Sequence, residues 1–197
     1  SPRVADATAA MVSIGGADVR HTVNGLSAAA PGNVVSVTNS SFQTTSYGLY
    51  ITGGTPTFSD VAVSGAGTGV YYTSGGSGTL GNTVVRNCTS YGVNVYTNTA
   101  GTPPLNIVGS TINATGSYGV YVETQSGISA TVNIKNSNIT NTSTGVYRYT
   151  GNGGATVRHV LQRVEELHQL LQRRPRRRDP LVQPALREPA EQPAPPV

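Results

Sequence analysis

The chain is poor in the residues that anchor most soluble folds. Among its 197 residues there is no tryptophan, and there are only two phenylalanines, one methionine and one cysteine. A single cysteine, Cys88, excludes an intrachain disulfide, and a buried inert thiol is its ordinary role. Charge is scarce through most of the chain. Up to Thr156 there are four acids (Asp6, Asp18, Asp60, Glu123) and five bases (Arg3, Arg20, Arg86, Lys135, Arg148). The overall charge of +4 therefore comes mainly from the arginine-rich tail. It gives no reason to read the body as a nucleic-acid binder. No apolar run is long enough to span a bilayer. Ser1 opens the chain with no charged-then-apolar leader behind it, the expectation for an internal fragment or a mature form.

What is present is strand and turn vocabulary. All 24 glycines and all 10 tyrosines precede Ala155. Such a charge-poor, glycine-rich composition is compatible with disorder, but its Val, Ile, Leu and Tyr residues recur in order. Five segments share one phrase: SYGLYI from Ser46, GTGVYY from Gly67, SYGVNV from Ser90, SYGVYV from Ser117 and STGVYR from Ser143. Their glycines (Gly48, Gly69, Gly92, Gly119, Gly145) are spaced by 21, 23, 27 and 26 residues. Upstream of each lies a second phrase, apolar, then a short turn, then apolar. Its copies are Val37–Phe42, Phe58–Val63, Leu80–Val85, Ile107–Ile112 and Ile134–Ile139.

Each unit thus holds two or three short runs alternating with period two, separated by Gly, Asn and Ser, which is strand and turn chemistry. One unit cannot bury an apolar face alone, but stacked copies can. A propeller blade needs about 40 residues, more than these units have. A parallel coil of two or three strands per unit fits, with each strand about 4.8 Å from its counterpart in the next coil. The stretches Thr97–Pro104 and Gln125–Ala130 read as outward insertions.

On these phrases the chain resembles the right-handed parallel β-helix repeat proteins with the pectate-lyase-like architecture. The similarity covers about residues 35–156, with a weaker, irregular first coil before it. The fold class expected is all-β, a right-handed parallel β-helix occupying residues 1–156. Leu49, Val70, Val93, Val120 and Val146 should stack as one interior column; Ile51, Tyr72, Val95 and Val122 should form another. Tyr50, Tyr71, Asn94, Tyr121 and Tyr147 should face outward. Asn39, Asn82 and Asn136 should serve corners, because Asn tolerates the left-handed backbone.

After Thr156 the chain contains no Gly, Ser, Thr, Asn or Tyr. Two readings fit this change. In one, Val157, Val160, Leu161, Val164, Leu167, Leu170 and Leu171 form the apolar stripe of an amphipathic helix over residues 157–173. It would cover the open end of the solenoid and be followed by a disordered Pro/Arg-rich tail over 174–197. In the other, the tail is a frameshift product. Permitted codons read one base later yield TYCNV from His159, then NSTNYSSVAPG, the idiom of the body.

Enzymes of the resembled architecture act on polysaccharides. Lyases use clustered carboxylates for Ca²⁺ with a basic residue, and hydrolases use paired carboxylates. Asp60 and Glu123 fall in non-adjacent coils at different repeat positions, and Asp6 and Asp18 lie near the start. No catalytic residue, cofactor or metal site is assigned. Asp18-Val19-Arg20-His21 is the densest ionisable group, read as an exposed strand and corner rather than half of a site. Arg148 replaces an aliphatic of the second inward column, and His159 and His168 lack metal-ligand company. The sequons at Asn39, Asn87, Asn113, Asn138 and Asn141 are expected by chance in this composition. RRPRRR from Arg173 could contact nucleic acid or anionic lipid.

The outward tyrosines Tyr50, Tyr71, Tyr121 and Tyr147 carry the ligand expectation. An evenly spaced aromatic row suits sugar rings of a polysaccharide; equally, the rings could serve only to stack on one another. The functional expectation is a non-catalytic, secreted or surface module, structural or adhesive and glycan-binding. The alternative is a fragment of a polysaccharide lyase or glycoside hydrolase whose site lies elsewhere.

Overall fold

A computed structural model describes residues 3–4, 11–29, 34–113, 116–149 and 154–160. The chain divides into two units, Ser1–Arg163 and Val164–Val197, and every described residue belongs to the first. The described residues form a parallel solenoid, and all its regular elements are strands.

After a short strand β1 (Arg3–Val4), the first coil consists of β2 (Met11–Gly15) and β3 (Asp18–Ala28), and the second of β4 (Val34–Thr38) and β5 (Ser41–Ile51). Four further coils have three strands each. They are β6 (Thr57–Ser59), β7 (Ala62–Ser64) and β8 (Thr68–Tyr72); β9 (Gly78–Gly81), β10 (Val84–Arg86) and β11 (Tyr91–Thr97); β12 (Leu105–Val108), β13 (Thr111–Asn113) and β14 (Tyr118–Thr124); and β15 (Ser129–Lys135), β16 (Asn138–Thr140) and β17 (Thr144–Arg148). A final strand, β18 (Gly154–Val160), begins the next turn.

These strands make three faces. One is the sheet β18-β15-β12-β9-β6-β4-β2. The other two share the long strand β5, whose Ser41–Gln43 pair with β7 and whose Tyr47–Ile51 pair with β8. From the third coil onward that long strand is split by a corner into a short and a long piece.

Register is kept from coil to coil, so like side chains meet. Leu26, Leu49, Val70, Val93, Val120 and Val146 are successive Cα partners, as are Ala28, Ile51, Tyr72, Val95, Val122 and Arg148. Both expected interior columns are therefore present, and each gains a member from the first coil. The upstream phrase supplies two more. Val37, Phe58, Leu80, Ile107 and Ile134 form one, and Phe42, Val63, Val85, Ile112 and Ile139 the other. Most of these side chains are fully buried. Each buried Val, Leu or Ile contributes roughly 1.5–3 kcal/mol relative to exposure.

The first corner is built from residues that accept left-handed backbone. Gly16, Asn39, Asp60, Asn82, Gly109 and Asn136 all have φ between 46° and 68°. Asn39, Asn82 and Asn136 are thus corner residues, as expected. After four of them the next residue carries a hydroxyl (Ser40, Thr83, Ser110 and Ser137), a series that the sequence patterns do not announce. The Ser40 hydroxyl donates to Thr38 O (2.8 Å) and accepts from the Ala17 amide (3.1 Å). Ser110 accepts from the Thr83 amide (3.1 Å) and Ser137 from the Ser110 amide (3.1 Å). These groups satisfy backbone donors that the turn removes from the sheet.

The phrase glycines also stack, and the first coil adds Gly25. A Cβ on Gly69 would lie 2.3 Å from Val85 Cγ1 and 2.6 Å from Gly92 O; one on Gly119 would lie 2.4 Å from Ile139 Cγ2 and 2.6 Å from Gly145 O. The glycine is demanded by close approach of the next coil rather than by backbone angle. Cys88 packs against the same place, 3.0 Å from where a Gly69 Cβ would stand. It is buried, and that burial pushes its thiol up to about 11, against opposing backbone hydrogen bonds.

The structure refines these expectations. Among the described residues of the first coil, β2 pairs with β4 throughout, and the register shifts lie around Arg20–Asn24. Of the two insertions, the first loops out after Thr97, whereas Ser129 and Ala130 of the second already belong to β15. Residues Val157–Val160, placed at the start of a helix by their spacing, are strand and pair in parallel with Val132–Lys135. The exposed edge of β15 offers backbone partners that local periodicity cannot register. The rest of the expected helix (161–173) and the tail (174–197) lie outside the described residues.

Two predictions test this packing. Gly69→Ala should lower the urea midpoint by the equivalent of about 3 kcal/mol through overpacking. Gly15→Ala, whose Cβ would meet only Thr38 Oγ1 at 3.4 Å, should stay within about 0.5 kcal/mol of the parent. Equal effects at the two positions would refute the close-approach argument. Tyr72 sits in a column of aliphatics, fully buried, and its hydroxyl has no hydrogen-bond partner among the described residues. Tyr72→Phe should therefore stabilise the protein by about 1 kcal/mol; a lower thermal midpoint would show that the hydroxyl is in fact satisfied.

Candidate functional site

The long face carries almost all of the tyrosine. Outward positions on its strands form rows in the same way that inward positions form columns. Ser27, Tyr50, Tyr71, Asn94, Tyr121 and Tyr147 are successive partners, so the four expected tyrosines and Asn94 stand in file. A second row, three residues upstream, runs Asn24, Tyr47, Thr68, Tyr91, Tyr118 and Thr144. Tyr96 continues the outward alternation of β11 and is the register partner of Glu123. The second row is missing from the sequence reading. Its signal was the residue before the phrase glycine: the glycine is packed under the next coil, so its predecessor turns outward.

The two rows interleave into two groups of rings. In the first, Tyr47 stacks on Tyr71 (5.5 Å between centroids, 19° between planes), with Tyr50 tilted against both at 5.1 and 5.6 Å. In the second, Tyr91 stacks on Tyr118 (5.7 Å, 11°) and Tyr121 on Tyr147 (5.5 Å, 16°). Tilted contacts at 5.1–5.2 Å join these pairs. Such pairs contribute roughly 0.5–1.5 kcal/mol each beyond area burial. Most of these rings are half-buried by their neighbours, and Tyr147, near the end of the face, is 38% exposed.

Electrostatics follows from the crowding. The Tyr121 hydroxyl donates to Glu123 Oε2 at 3.2 Å. Burial among the rings, then the Glu123 charge and that hydrogen bond, hold the Tyr121 phenol well above the ordinary tyrosine range. Tyr71 is raised as well, chiefly by burial.

Most of the other described ionisable groups lie apart from this face. Asp18 and Arg20 form an exposed ion pair at 2.8 Å, and Ser41 donates to Asp18 at 2.6 Å. The Arg20 hydrogen bond first, and then that of Ser41, lower the Asp18 carboxyl. His21 follows at a corner with φ 56°, so the Asp18–His21 segment is the exposed strand and corner expected of it. Asp60 occupies the first corner and accepts from Ser59 (2.7 Å) and Asn82 (3.4 Å). Arg148 ends the second inward column as the partner of Val122 and is exposed. Among the described residues no group of three His, Cys, Asp or Glu side chains converges as a metal site would require. Asp6, His168 and the RRPRRR segment lie outside the described residues, and so does the side chain of His159.

Of the sequon asparagines, Asn39, Asn87 and Asn141 hold left-handed backbone. Asn138 opens β16, and Asn113 ends β13 and accepts from the Asn141 amide at 2.8 Å. With Asn133 donating to Asn106 at 2.9 Å, these are amide ladders of the kind that stacked coils produce.

A family model described as a right-handed β-helix region matches residues 5–160. The chain belongs to that right-handed β-helix family. The match ends where β18 ends. No curated protein and no solved structure matches the chain significantly. In this β-helix, then, the feature with the greatest chemical capacity is the tyrosine face, which can offer hydroxyls, ring edges and, where stacking stops, open ring surfaces.

The tyrosine electrostatics make a testable statement. An acid whose folded pKa is raised contributes stability that is intact below its unfolded pKa and is lost as pH rises above it. The urea midpoint should therefore fall as pH climbs beyond about 10, the unperturbed tyrosine value. In ¹³C-tyrosine spectra, Glu123→Gln should bring the Tyr121 titration down, still short of the ordinary range because burial persists. An unshifted Tyr121 titration in that variant would contradict the Glu123 contact.

Proposed function

We propose that this β-helix is a non-catalytic binding module, secreted or displayed at a cell surface, that adheres to polysaccharide through its tyrosine face. One observation carries the reading. Nine of the ten tyrosines (Tyr47, Tyr50, Tyr71, Tyr91, Tyr96, Tyr118, Tyr121, Tyr147 and Tyr149) fall at outward positions of one face, and Tyr72 alone is interior. Stacking alone would explain pairs of rings. It gives less reason for both outward rows of the same face to be rich in tyrosine while the described strands of the other two faces carry none. Tyrosine suits carbohydrate because it joins an apolar ring to a hydroxyl that donates and accepts. The low charge of the body and the family resemblance support an extracellular setting.

The test is a polysaccharide array probed with the full chain. Binding is expected to one or more glycans, and replacing Tyr50, Tyr71, Tyr121 and Tyr147 together by Ser should weaken it at least tenfold. Undiminished binding by a folded quadruple variant would remove the tyrosine face from the reading. Turnover of any arrayed polysaccharide would remove the non-catalytic assignment.

A further inference from the structure

The tyrosine face is not continuous. Among the described residues, no ring contact joins the group Tyr47/Tyr50/Tyr71 to the group Tyr91/Tyr118/Tyr121/Tyr147. The break has a sequence cause. Thr68 takes the place of a tyrosine in one row, between Tyr47 and Tyr91, and Asn94 does so in the other, between Tyr71 and Tyr121. Two small polar side chains in adjacent coils leave a diagonal notch across the face. Tyr71 bounds it on one side and Tyr91 on the other.

The notch is where ring surface is left open. The ring partners of Tyr71 are Tyr47 and Tyr50, both in the preceding coil. Those of Tyr91 are Tyr118 and Tyr121, both in the following coil. Each ring makes its ring contacts on its far side only, and none joins the two, although the Tyr96 phenol of the following coil lies close enough to act on Tyr71. The end rings Tyr50 and Tyr147 also lack a ring partner on their outer sides, but only at the notch do two such sides belong to adjacent coils.

The floor of the notch is polar and incompletely satisfied. Thr68 is 8% exposed, beneath the rings. Asn94 has a buried Oδ1 with no hydrogen-bond partner among the described residues. An unpaired buried amide carbonyl is costly unless a donor reaches it. On β8, β11, β14 and β17 of this face the charged side chains are Glu123 and, in the last coil, Arg148. Glu123 belongs to the coil following Asn94 and is the register partner of Tyr96. A carboxylate there disfavours an anionic ligand.

Resting on the polysaccharide reading above, we propose that the notch is a specific subsite for one neutral sugar residue. The pyranose would sit between the Tyr71 and Tyr91 rings, with a hydroxyl donating to Asn94 Oδ1 once the side chains that cover this atom in the free protein have moved aside. The outer tyrosines Tyr50 and Tyr147 then serve mainly to stack and to hold the two walls in place.

Calorimetry of the full chain with cellohexaose, maltohexaose, laminarihexaose and the acidic hexamer of galacturonate tests this. At least one neutral hexasaccharide is expected to bind and to shift the Asn94 side-chain amide signals. Tyr71→Ser should weaken that binding at least tenfold, and Tyr147→Ser less than twofold. Asn94→Tyr fills the notch and completes the ring row, so it should abolish binding without lowering the urea midpoint, which separates loss of the site from loss of the fold. Equal weakening by Tyr71→Ser and Tyr147→Ser would place the glycan along the whole row, overturning the notch while leaving the tyrosine face as a binding surface. Wild-type affinity in Asn94→Tyr, or tighter binding of the galacturonate hexamer, would also overturn it. A panel in which nothing binds removes the notch and the reading beneath it together.

Discussion

Unshifted parallel pairing between successive coils is the constraint on which the rest of this β-helix depends. A parallel ladder places residue against residue at strand spacing, so whatever one coil presents is repeated about 4.8 Å away. Apolar positions become interior columns, outward positions become rows, and corner positions become lines of like residues. The same pairing limits what can stand at a tight point. Where the backbone of one coil presses on the next, only glycine fits, and Gly25, Gly48, Gly69 and Gly119 follow from that contact. A residue with a Cβ there must push against a neighbouring carbonyl and a packed phenylalanine, valine or isoleucine. The energetics is therefore that of a stack, in which each coil is stabilised chiefly by its two neighbours.

The tyrosine face is the surface consequence of the same geometry. Rings that project from adjacent coils are brought within 5.1–5.7 Å whether or not a ligand is involved. Ring stacking and ligand binding thus compete for the same surfaces: a ring packed on its neighbour has less face to offer a sugar. For this reason the interruptions at Thr68 and Asn94 are more informative about recognition than the rings that form the longest stacks. The interruption also leaves a buried carbonyl unmatched, which a plain stacking surface does not require.

Much of this was open to inspection in the primary structure. The phrase built on Gly48, Gly69, Gly92, Gly119 and Gly145 set the coil length. Alternation around it assigned Leu49 through Val146 inward and Tyr50 through Tyr147 outward, and the register agrees. Asn39, Asn82 and Asn136 were recognisable as corners because few residues accept a positive φ. Less visible were Gly25 and the first coil, whose phrase is degraded to Asn24-Gly25-Leu26. The Ser/Thr ladder through Ser40, Thr83, Ser110 and Ser137 was hidden because serine and threonine are common everywhere in the body. Tyr47, Tyr91 and Tyr118 were in plain view but were not placed, since simple alternation does not describe the chain as it turns at the glycine.

At Val157–Val160 the local spacing spoke for helix, and an unfilled sheet edge on β15 made strand. Periodicity along one segment reports only that segment's own faces. By itself the sequence determined the repeating unit, which side chains lie inside, and where the corners fall, because strand alternation and backbone steric limits are local. The tertiary structure alone decided which outward residues become neighbours across coils, and so where the tyrosine rings close against each other and where they leave a gap. That depends on through-space register between residues more than twenty positions apart, a distance no local pattern measures.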